Sequence, residues 1–129
     1  MIAVDTNVVV RLLTNDDHDQ ARRAAAVFEA NEILLSRTVL LETEWVLRFS
    51  YEAGRHEIHR GLAAVLGMPR VVVEAPRQVS LALEWFRHGL DFADALHLAS
   101  AADVERFVTF DRKLARRSGS LAAVPVETL

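Results

Sequence analysis

The stretch IAVDTN, residues 2–7, decides the predicted fold, because a short apolar run ends there in an acidic residue and leads into a helical pattern. Similar short runs, rich in the residues that favour strands, recur at residues 33–35, 71–73, 107–110 and 124–126. Apolar residues at helical spacing lie between them, at residues 21–28, 38–53, 55–66, 77–88 and 92–104. Strands that alternate with helices form parallel sheets covered on both faces. The sequence therefore predicts an α/β fold, a three-layer α/β/α sandwich with a mainly parallel central sheet.

The composition is that of a globular protein and narrows the classes of function. The chain has 129 residues, 51% of them hydrophobic and 26% charged, which suits one compact domain over residues 1–129 and excludes a disordered chain. It has no cysteine, so disulfides and thiolate zinc sites are excluded and a reducing compartment is favoured. No apolar run approaches the roughly 18 residues of a membrane span, and the first residues lack the basic segment of a secretory leader. We therefore expect a cytoplasmic protein without membrane contact.

Two acidic residues each follow a predicted strand. Asp5 comes directly after residues 2–4, and Asp111 comes directly after residues 107–110. Open α/β sheets bind ligands at the carboxyl ends of their strands, which favours a functional role for both acids. Each acid also stands directly before a predicted helix, where Asp is a common N-cap. The sequence leaves both interpretations open for Asp5 and for Asp111.

Two glutamates of the predicted helix 38–53 have different surroundings on a helical wheel. Glu44 lies on a polar stripe four residues before Arg48, which predicts an ion pair on the solvent face. Glu42 lies on the face that carries the apolar side chains Val39, Trp45, Val46 and Phe49. Because an acid on a buried apolar face needs a counter-charge, this pattern predicts that Glu42 binds a ligand.

A third candidate acid lies in the run FADALHLAS, residues 92–100, which is apolar on nearly every side and predicts a buried helix. Within it, Asp94 is predicted to be functional, whereas Asp91 is explained as the N-cap of the helix. His97 lies one position around the helix from Asp94. No second histidine stands at metal-ligand spacing from it, so we expect His97 to be a packed core residue.

The four candidate acids are Asp5, Glu42, Asp94 and Asp111. If they converge at one sheet edge, their mutual repulsion would raise their pKa values or destabilise the fold unless a cation lies among them. Hard oxygen ligands select Mg²⁺ or Mn²⁺. Such an ion activates water and stabilises charge on a phosphoryl oxygen, which suits hydrolysis of a phosphodiester without a protein nucleophile.

Four segments carry a resemblance to a known family: residues 4–7 (VDTN), 35–42 (LSRTVLLE), 92–102 (FADALHLASAA) and 108–111 (VTFD). In order and spacing they resemble the PIN-domain nucleases and, more narrowly, the VapC-type toxins of toxin–antitoxin pairs. The resemblance covers essentially the whole chain. It implies a PIN-like fold and a metal-dependent endoribonuclease.

The same resemblance implies roles for single residues and names partners. It implies that Asp5, Glu42 and Asp94 form the metal-holding core, with Asp111 as a more variable fourth acid. It implies that Asn7 and Thr109 are supporting polar residues. The family further implies Mg²⁺ or Mn²⁺ as cofactor, RNA as substrate, a homodimer and a cognate antitoxin protein that blocks the site.

A basic cluster follows the last candidate acid and consists of Arg112, Lys113, Arg116 and Arg117. The net charge of −3 disfavours binding of nucleic acid by overall charge, so any such binding has to be local. The cluster would lie near the predicted site and could bind the phosphate backbone. It is equally typical of a solvated helix face whose positive charges favour the helix dipole. Both interpretations stay open.

Two alternatives belong to other classes of function. The first is a receiver-like module that holds a regulatory Mg²⁺, but such a module has paired early acids, whereas Asp5 is followed by Thr6 and Asn7. The second is a catalytically silent PIN-like protein that acts through protein or RNA binding, and the intact acids count against it. Nucleotide binding is disfavoured because the sequence has no glycine-rich phosphate loop.

Overall fold

The computed structural model describes residues 1–121 and 124–129, and within them seven helices alternate with five strands. The first part of the chain contains β1 (Ile2–Ala3), α1 (Thr6–Thr14), α2 (His18–Ala30), β2 (Ile33–Leu35), α3 (Arg37–Phe49), α4 (Arg55–Leu66) and β3 (Val71–Val73). The second part contains α5 (Pro76–Arg87), α6 (Phe92–Ser100), β4 (Phe107–Thr109), α7 (Arg112–Ser118) and β5 (Val126–Thr128). None of the described helices combines the length and the apolar character that crossing a membrane requires.

The chain folds into two compact units, Met1–Pro76 and Arg77–Leu129. In the first unit, β1, β2 and β3 form a parallel sheet in that order, with Ile33 of β2 opposite both Ile2 and Val71. In the second unit, β4 and β5 pair in parallel, with Phe107 opposite Val126. The predicted α/β fold with parallel strands is therefore confirmed. Backbone pairing among the described residues gives one sheet of three strands and one of two.

The first unit buries a core around its central strand. Ile33 and Leu35 of β2 are fully buried, as expected for a parallel strand covered on both faces. Helix α1 packs against both α2 and α3. The helices add buried apolar side chains that include Val9, Phe28, Leu40, Ile58 and Leu62. This packing brings the start of α1 within reach of side chains on α3.

The second unit has its own apolar core, which α5 and α6 dominate. The rings of Phe86 and Phe92 meet edge to face, with centroids 5.5 Å apart and planes at 82°, an arrangement that aromatic pairs favour. Helix α7 packs against β4 and β5. The other buried side chains of this unit include Val79, Trp85, Leu98, Leu114 and Val124.

Helix boundaries follow local signals that the sequence carries. Asp17 caps α2, because its carboxylate accepts a hydrogen bond from Gln20 N at 3.0 Å. Asn15 ends α1 in the left-handed conformation with φ of 53°, which Asn tolerates better than most residues. Pro76 is the first residue of α5, where its missing N–H costs no helical hydrogen bond.

Two predicted helices are too long at their carboxyl ends. The pattern over residues 38–53 predicted a helix that in the structure ends at Phe49, and Glu52 beyond it has a φ of 52°, which a helix cannot contain. The pattern over residues 92–104 predicted a helix that ends at Ser100. Beyond it, Ala101 N and Val104 N bond to carbonyls three residues back, which makes turns tighter than an α-helix.

The last predicted strand is also wrong in position. It was expected at residues 124–126, but β5 is Val126–Thr128. Pro125 has no N–H to give to a strand partner, so it precedes the strand instead of lying within it. Its carbonyl still accepts a hydrogen bond from Phe107 N at 2.8 Å.

Candidate functional site

Asp5 lies between β1 and α1 and caps the helix. Its carboxylate oxygen Oδ1 accepts a hydrogen bond from Thr6 N at 2.8 Å, and the residue is exposed. The cap interpretation of Asp5 is therefore confirmed. A carboxylate has two oxygens that accept hydrogen bonds or bind cations, so capping through Oδ1 is compatible with a ligand role for Oδ2.

Glu42 on α3 reaches the same residue. Its Oε1 accepts a hydrogen bond from the hydroxyl of Thr6 at 2.5 Å, across a separation of 36 positions in the sequence. Thr6 itself is buried, with 4% of its surface exposed. Thr6 thus contacts two of the predicted acids, Asp5 through its backbone N–H and Glu42 through its hydroxyl. The structure brings Asp5 and Glu42 together at the first turn of α1.

The predicted faces of α3 are reversed in the structure. Glu42 was expected on a buried apolar face, but it is exposed, and its neighbours Trp45 and Phe49 are 53% and 58% exposed. Glu44 was expected at the solvent face, but it is 1% exposed. Its predicted partner is correct, since Arg48 donates from Nε to Glu44 Oε2 at 2.9 Å.

The physical reason for this reversal is the pair itself. Arg48 makes a second bond, from Nη2 to Glu44 Oε1 at 3.2 Å, so both carboxylate oxygens of Glu44 are satisfied by one guanidinium. A charge neutralised in this way is tolerated inside a protein. The buried side of α3 is completed by Leu40, Thr43 and Leu47.

Asp94 and Asp111 both belong to the second unit. Asp94 lies in the first turn of α6 and is half-buried. Asp91 caps that helix as predicted, because its Oδ2 accepts from Asp94 N at 3.1 Å. Asp111 is exposed and caps α7, its Oδ1 accepting from Leu114 N at 3.0 Å. The cap interpretation of Asp111 is therefore also confirmed.

Thr109 holds the backbone of Asp111. Its hydroxyl accepts a hydrogen bond from Asp111 N at 3.0 Å, between the end of β4 and the start of α7. That Thr109 supports a functional site, as the family resemblance implied, stays a prediction. Asn7, the other residue expected to support the site, is exposed on α1. It lines a groove of about 290 Å³ between α1 and α2, together with Arg11 and Arg23.

The carboxylates of the second unit influence one another. Burial raises the pKa of Asp94, and the negative charges of Asp91 and Asp111 raise it further. Nearby His97 acts in the opposite direction. The prediction that His97 is a core residue is wrong, because His97 is exposed. The buried side of α6 includes Ala95, Leu96, Leu98 and Ala99. The first turn of α6 is therefore a place of negative potential, which a cation would relieve.

The donor chemistry fits a hard divalent cation, because each unit contributes exposed or half-buried carboxylates of the kind that Mg²⁺ and Mn²⁺ bind. Over residues 1–121 and 124–129, however, no group of three or more histidine, aspartate or glutamate side chains is placed so that it could hold a metal ion. Asp5 and Glu42 meet in one unit, and Asp94 and Asp111 interact in the other. That all four share an ion stays a prediction.

The basic cluster is on α7 and at the surface. Arg112, Lys113 and Arg116 are exposed, as both interpretations of the cluster require. Arg117 is exposed as well, and its Nη1 donates to the carbonyl of Gly89 at 3.3 Å. The first three residues are thus accessible to an anionic ligand.

Thr6 is the residue of this site that the sequence did not single out as functional. In the sequence it appears only as the residue that follows Asp5, which is the N-cap of α1. Its contact with Glu42 joins α1 to α3, and no local pattern predicts a contact between two helices. The one sequence signal was a hydroxyl residue that directly follows a candidate ligand at a helix start.

Parallel strands that alternate with helices define the molecule as an α/β domain. Aspartates cap four of its described helices, namely Asp5, Asp17, Asp91 and Asp111. Comparison with family models matches residues 2–119 to the PIN domain, and the chain belongs to this family. Comparisons with curated proteins and with solved structures found no significant match. PIN domains are generally nucleases and typically depend on a divalent metal ion, which gives this chain its broad functional assignment.

Proposed function

We propose that this protein is a Mg²⁺- or Mn²⁺-dependent endoribonuclease in which Asp5, Glu42, Asp94 and Asp111 hold the metal. The observation that carries the proposal is the meeting of Asp5 and Glu42 at Thr6, because it joins two acids from distant parts of the chain. The PIN-domain match over residues 2–119 supports the reaction class. That match spans both units, which supports a single functional domain.

Each acid has a defined task in this proposal. Asp5 and Glu42 present carboxylate oxygens at the first turn of α1, where Thr6 holds both of them. Asp94 and Asp111 add negative charge that favours cation binding. When bound, a Mg²⁺ or Mn²⁺ ion supplies an activated water and neutralises charge on the phosphoryl oxygen. No side-chain nucleophile is needed for this chemistry.

The exposed cations of α7 are proposed to bind the RNA backbone. Arg112, Lys113 and Arg116 lie directly after Asp111, so they can contact phosphates next to the scissile bond. Because the net charge of the chain is −3, these local contacts have to overcome an overall repulsion of RNA. Because each contact between a cation and a phosphate releases counterions, binding should weaken as the salt concentration rises.

We further propose that the protein is the toxin of a toxin–antitoxin pair, a cytoplasmic homodimer whose activity a cognate antitoxin blocks. The supporting observation is the exposed aromatic pair Trp45 and Phe49 on α3, with ring centroids 5.1 Å apart. Exposed neighbouring aromatic side chains are typical of surfaces that bind another protein.

A second candidate function is a catalytically silent PIN domain that acts by binding RNA or protein. It is favoured by the finding that, within the described part of the chain, three acids do not already stand at metal-binding distance. This candidate predicts RNA binding without cleavage, and a cleavage assay therefore separates the two.

The test is cleavage of labelled RNA by purified protein freed of any bound partner. We expect endonucleolytic products with Mg²⁺ or Mn²⁺ and none with EDTA. Asp5→Asn and Asp94→Asn should each lower the rate about 100-fold or more, since even residues behind a metal ligand are worth about 10–100-fold. Asp103→Asn is the matched control, because Asp103 is an exposed acid in the turn after α6 and should leave the rate unchanged. Activity that persists in EDTA or in Asp5→Asn would refute the proposal.

A further inference from the structure

Thr6 is hydrogen-bonded to two of the candidate acids, Asp5 and Glu42. Its backbone N–H donates to Asp5 Oδ1 at 2.8 Å, and its hydroxyl donates to Glu42 Oε1. It is the only residue for which the described structure gives hydrogen bonds to both acids. Only 4% of the surface of Thr6 is exposed.

The contact of Thr6 differs from that of Thr43, the other buried helical threonine among the described residues. The hydroxyl of Thr43 donates to a carbonyl four residues back in its own helix, Val39 O, which is the common pattern for helical Ser and Thr. Thr6 is the first residue of α1, so the residue four positions before it lies in β1 and offers no helical carbonyl. Its hydroxyl is therefore directed to the neighbouring helix α3.

The hydroxyl of Thr6 restricts the side chain of Glu42. Glu42 is exposed on α3, and a free glutamate side chain samples many rotamers. A hydrogen bond from a hydroxyl to a carboxylate is charge-assisted and strong. The β-branched side chain of Thr6 is stiff at χ1, so a buried Thr6 fixes the direction of the bond. Oε1 is thereby held, and Oε2 is the oxygen of Glu42 that would bind a cation.

We propose that Thr6 is a positioning residue that aligns Glu42, and with it Asp5, for binding of the divalent metal. The inference rests on the proposed function, because it gives Thr6 a task only if these acids bind the ion. Partners that orient metal ligands from behind typically contribute 10–100-fold to affinity or activity. A residue that served only the stability of α1 would not change the affinity for metal.

The test compares Mn²⁺ affinity, measured by calorimetry on the full chain, in three variants. Thr6→Val keeps the shape and removes the hydroxyl, and we expect Mn²⁺ binding about 10–100-fold weaker. Thr6→Ser keeps the hydroxyl and should restore most of the affinity. Thr43→Val is the matched control, because Thr43 is fully buried on α3 and its hydroxyl bonds to Val39 O; its affinity should equal that of the wild type.

Thermal unfolding without metal provides the structural readout. We expect Thr6→Val and Thr43→Val to lower the melting temperature by similar small amounts, while only Thr6→Val loses Mn²⁺ affinity and lowers kcat for RNA cleavage. If Thr6→Val does not fold, Thr6→Ala is measured in the same way. Failure of both to fold would assign the hydroxyl to stability and overturn the inference.

The result also separates this inference from the proposed function. If the wild type binds Mn²⁺ and cuts RNA but Thr6→Val does so equally well, the positioning role is wrong and the nuclease assignment stands. If the wild type neither binds Mn²⁺ nor cuts RNA, the proposed function itself is wrong.

Discussion

The buried ion pair of α3 allows the sharpest prediction about stability. Glu44 is 1% exposed and depends on Arg48 for both of its carboxylate hydrogen bonds. Arg48→Met keeps most of the aliphatic stem and removes the guanidinium, which leaves the carboxylate of Glu44 buried without its counter-charge. The folded state of the Arg48→Met variant should therefore be less stable than that of the wild type.

The size of the effect follows from the geometry. Breaking a fully buried ion pair costs about 3–5 kcal/mol. The side chain of Arg48 is 41% exposed, so water replaces part of the lost interaction and the cost is reduced. A hydrogen bond to a charged group is worth about 1.5–3 kcal/mol. We therefore expect Arg48→Met to lower the free energy of unfolding by about 2 kcal/mol.

The assay is equilibrium unfolding in urea, with the slope of the transition compared between variants. The matched control is Arg22→Met, because Arg22 pairs with Asp19 over 2.8 Å while their side chains are 77% and 61% exposed. Exposed pairs contribute about 0–1 kcal/mol, so this variant should stay close to wild type. If Arg48→Met is no less stable than Arg22→Met, the burial of Glu44 does not depend on its ion pair and the reasoning is wrong.

Two further predictions concern acid stability and RNA binding. The hydroxyl of Tyr51 donates to Asp16 at 2.8 Å, and this bond, followed by one from Thr14, holds the pKa of Asp16 below its ordinary value of 3.8. Because the pKa of Asp16 is lower in the folded state, its stabilisation is fully present above the unfolded pKa and is lost as pH falls through the folded pKa. Tyr51→Phe should therefore reduce the loss of stability at acidic pH, which urea unfolding at a series of pH values measures. An unchanged dependence of stability on pH would contradict this prediction. Neutralising Arg112, Lys113 and Arg116 to glutamine should weaken RNA binding and reduce its salt slope by about 1 for each phosphate that the protein no longer binds. Filter binding at several salt concentrations measures the RNA affinity and its salt slope, and Arg60→Gln is the control because Arg60 is exposed. An unaltered slope would show that the basic cluster of α7 is only a solvated helix face.

The fold was predictable because its signals are local. Short apolar runs and helical spacing located the helices and every strand except the last, and helix boundaries lie at residues that favour them locally, namely Asn15, Asp17 and Pro76. Two of the errors in element boundaries occurred where a single residue overrides the pattern. Pro125 moves the last strand to Val126–Thr128, and the left-handed Glu52 lies beyond the early end of α3.

The helix caps at two of the candidate acids were predictable from the sequence, whereas the contacts between helices were not. Strand ends and caps identified Asp5 and Asp111 from local sequence, and both caps are present. The faces of α3 were misassigned because each carries both charged and apolar residues, so hydrophobic spacing alone does not decide which side is buried. The hydrogen bond from Thr6 to Glu42 was not predictable from the sequence, because it depends on the packing of α1 against α3.

The central claim, that acids from distant parts of the chain share a divalent ion, is tested most directly by a crystal structure of the protein grown with Mn²⁺, using the anomalous signal of the metal. We predict a Mn²⁺ peak with carboxylate oxygens of Asp5, Glu42 and Asp94 either bound directly at about 2.0–2.3 Å or joined to it through one water. A structure that binds no Mn²⁺ near Asp5, or binds it away from Glu42 and Asp94, would contradict this claim.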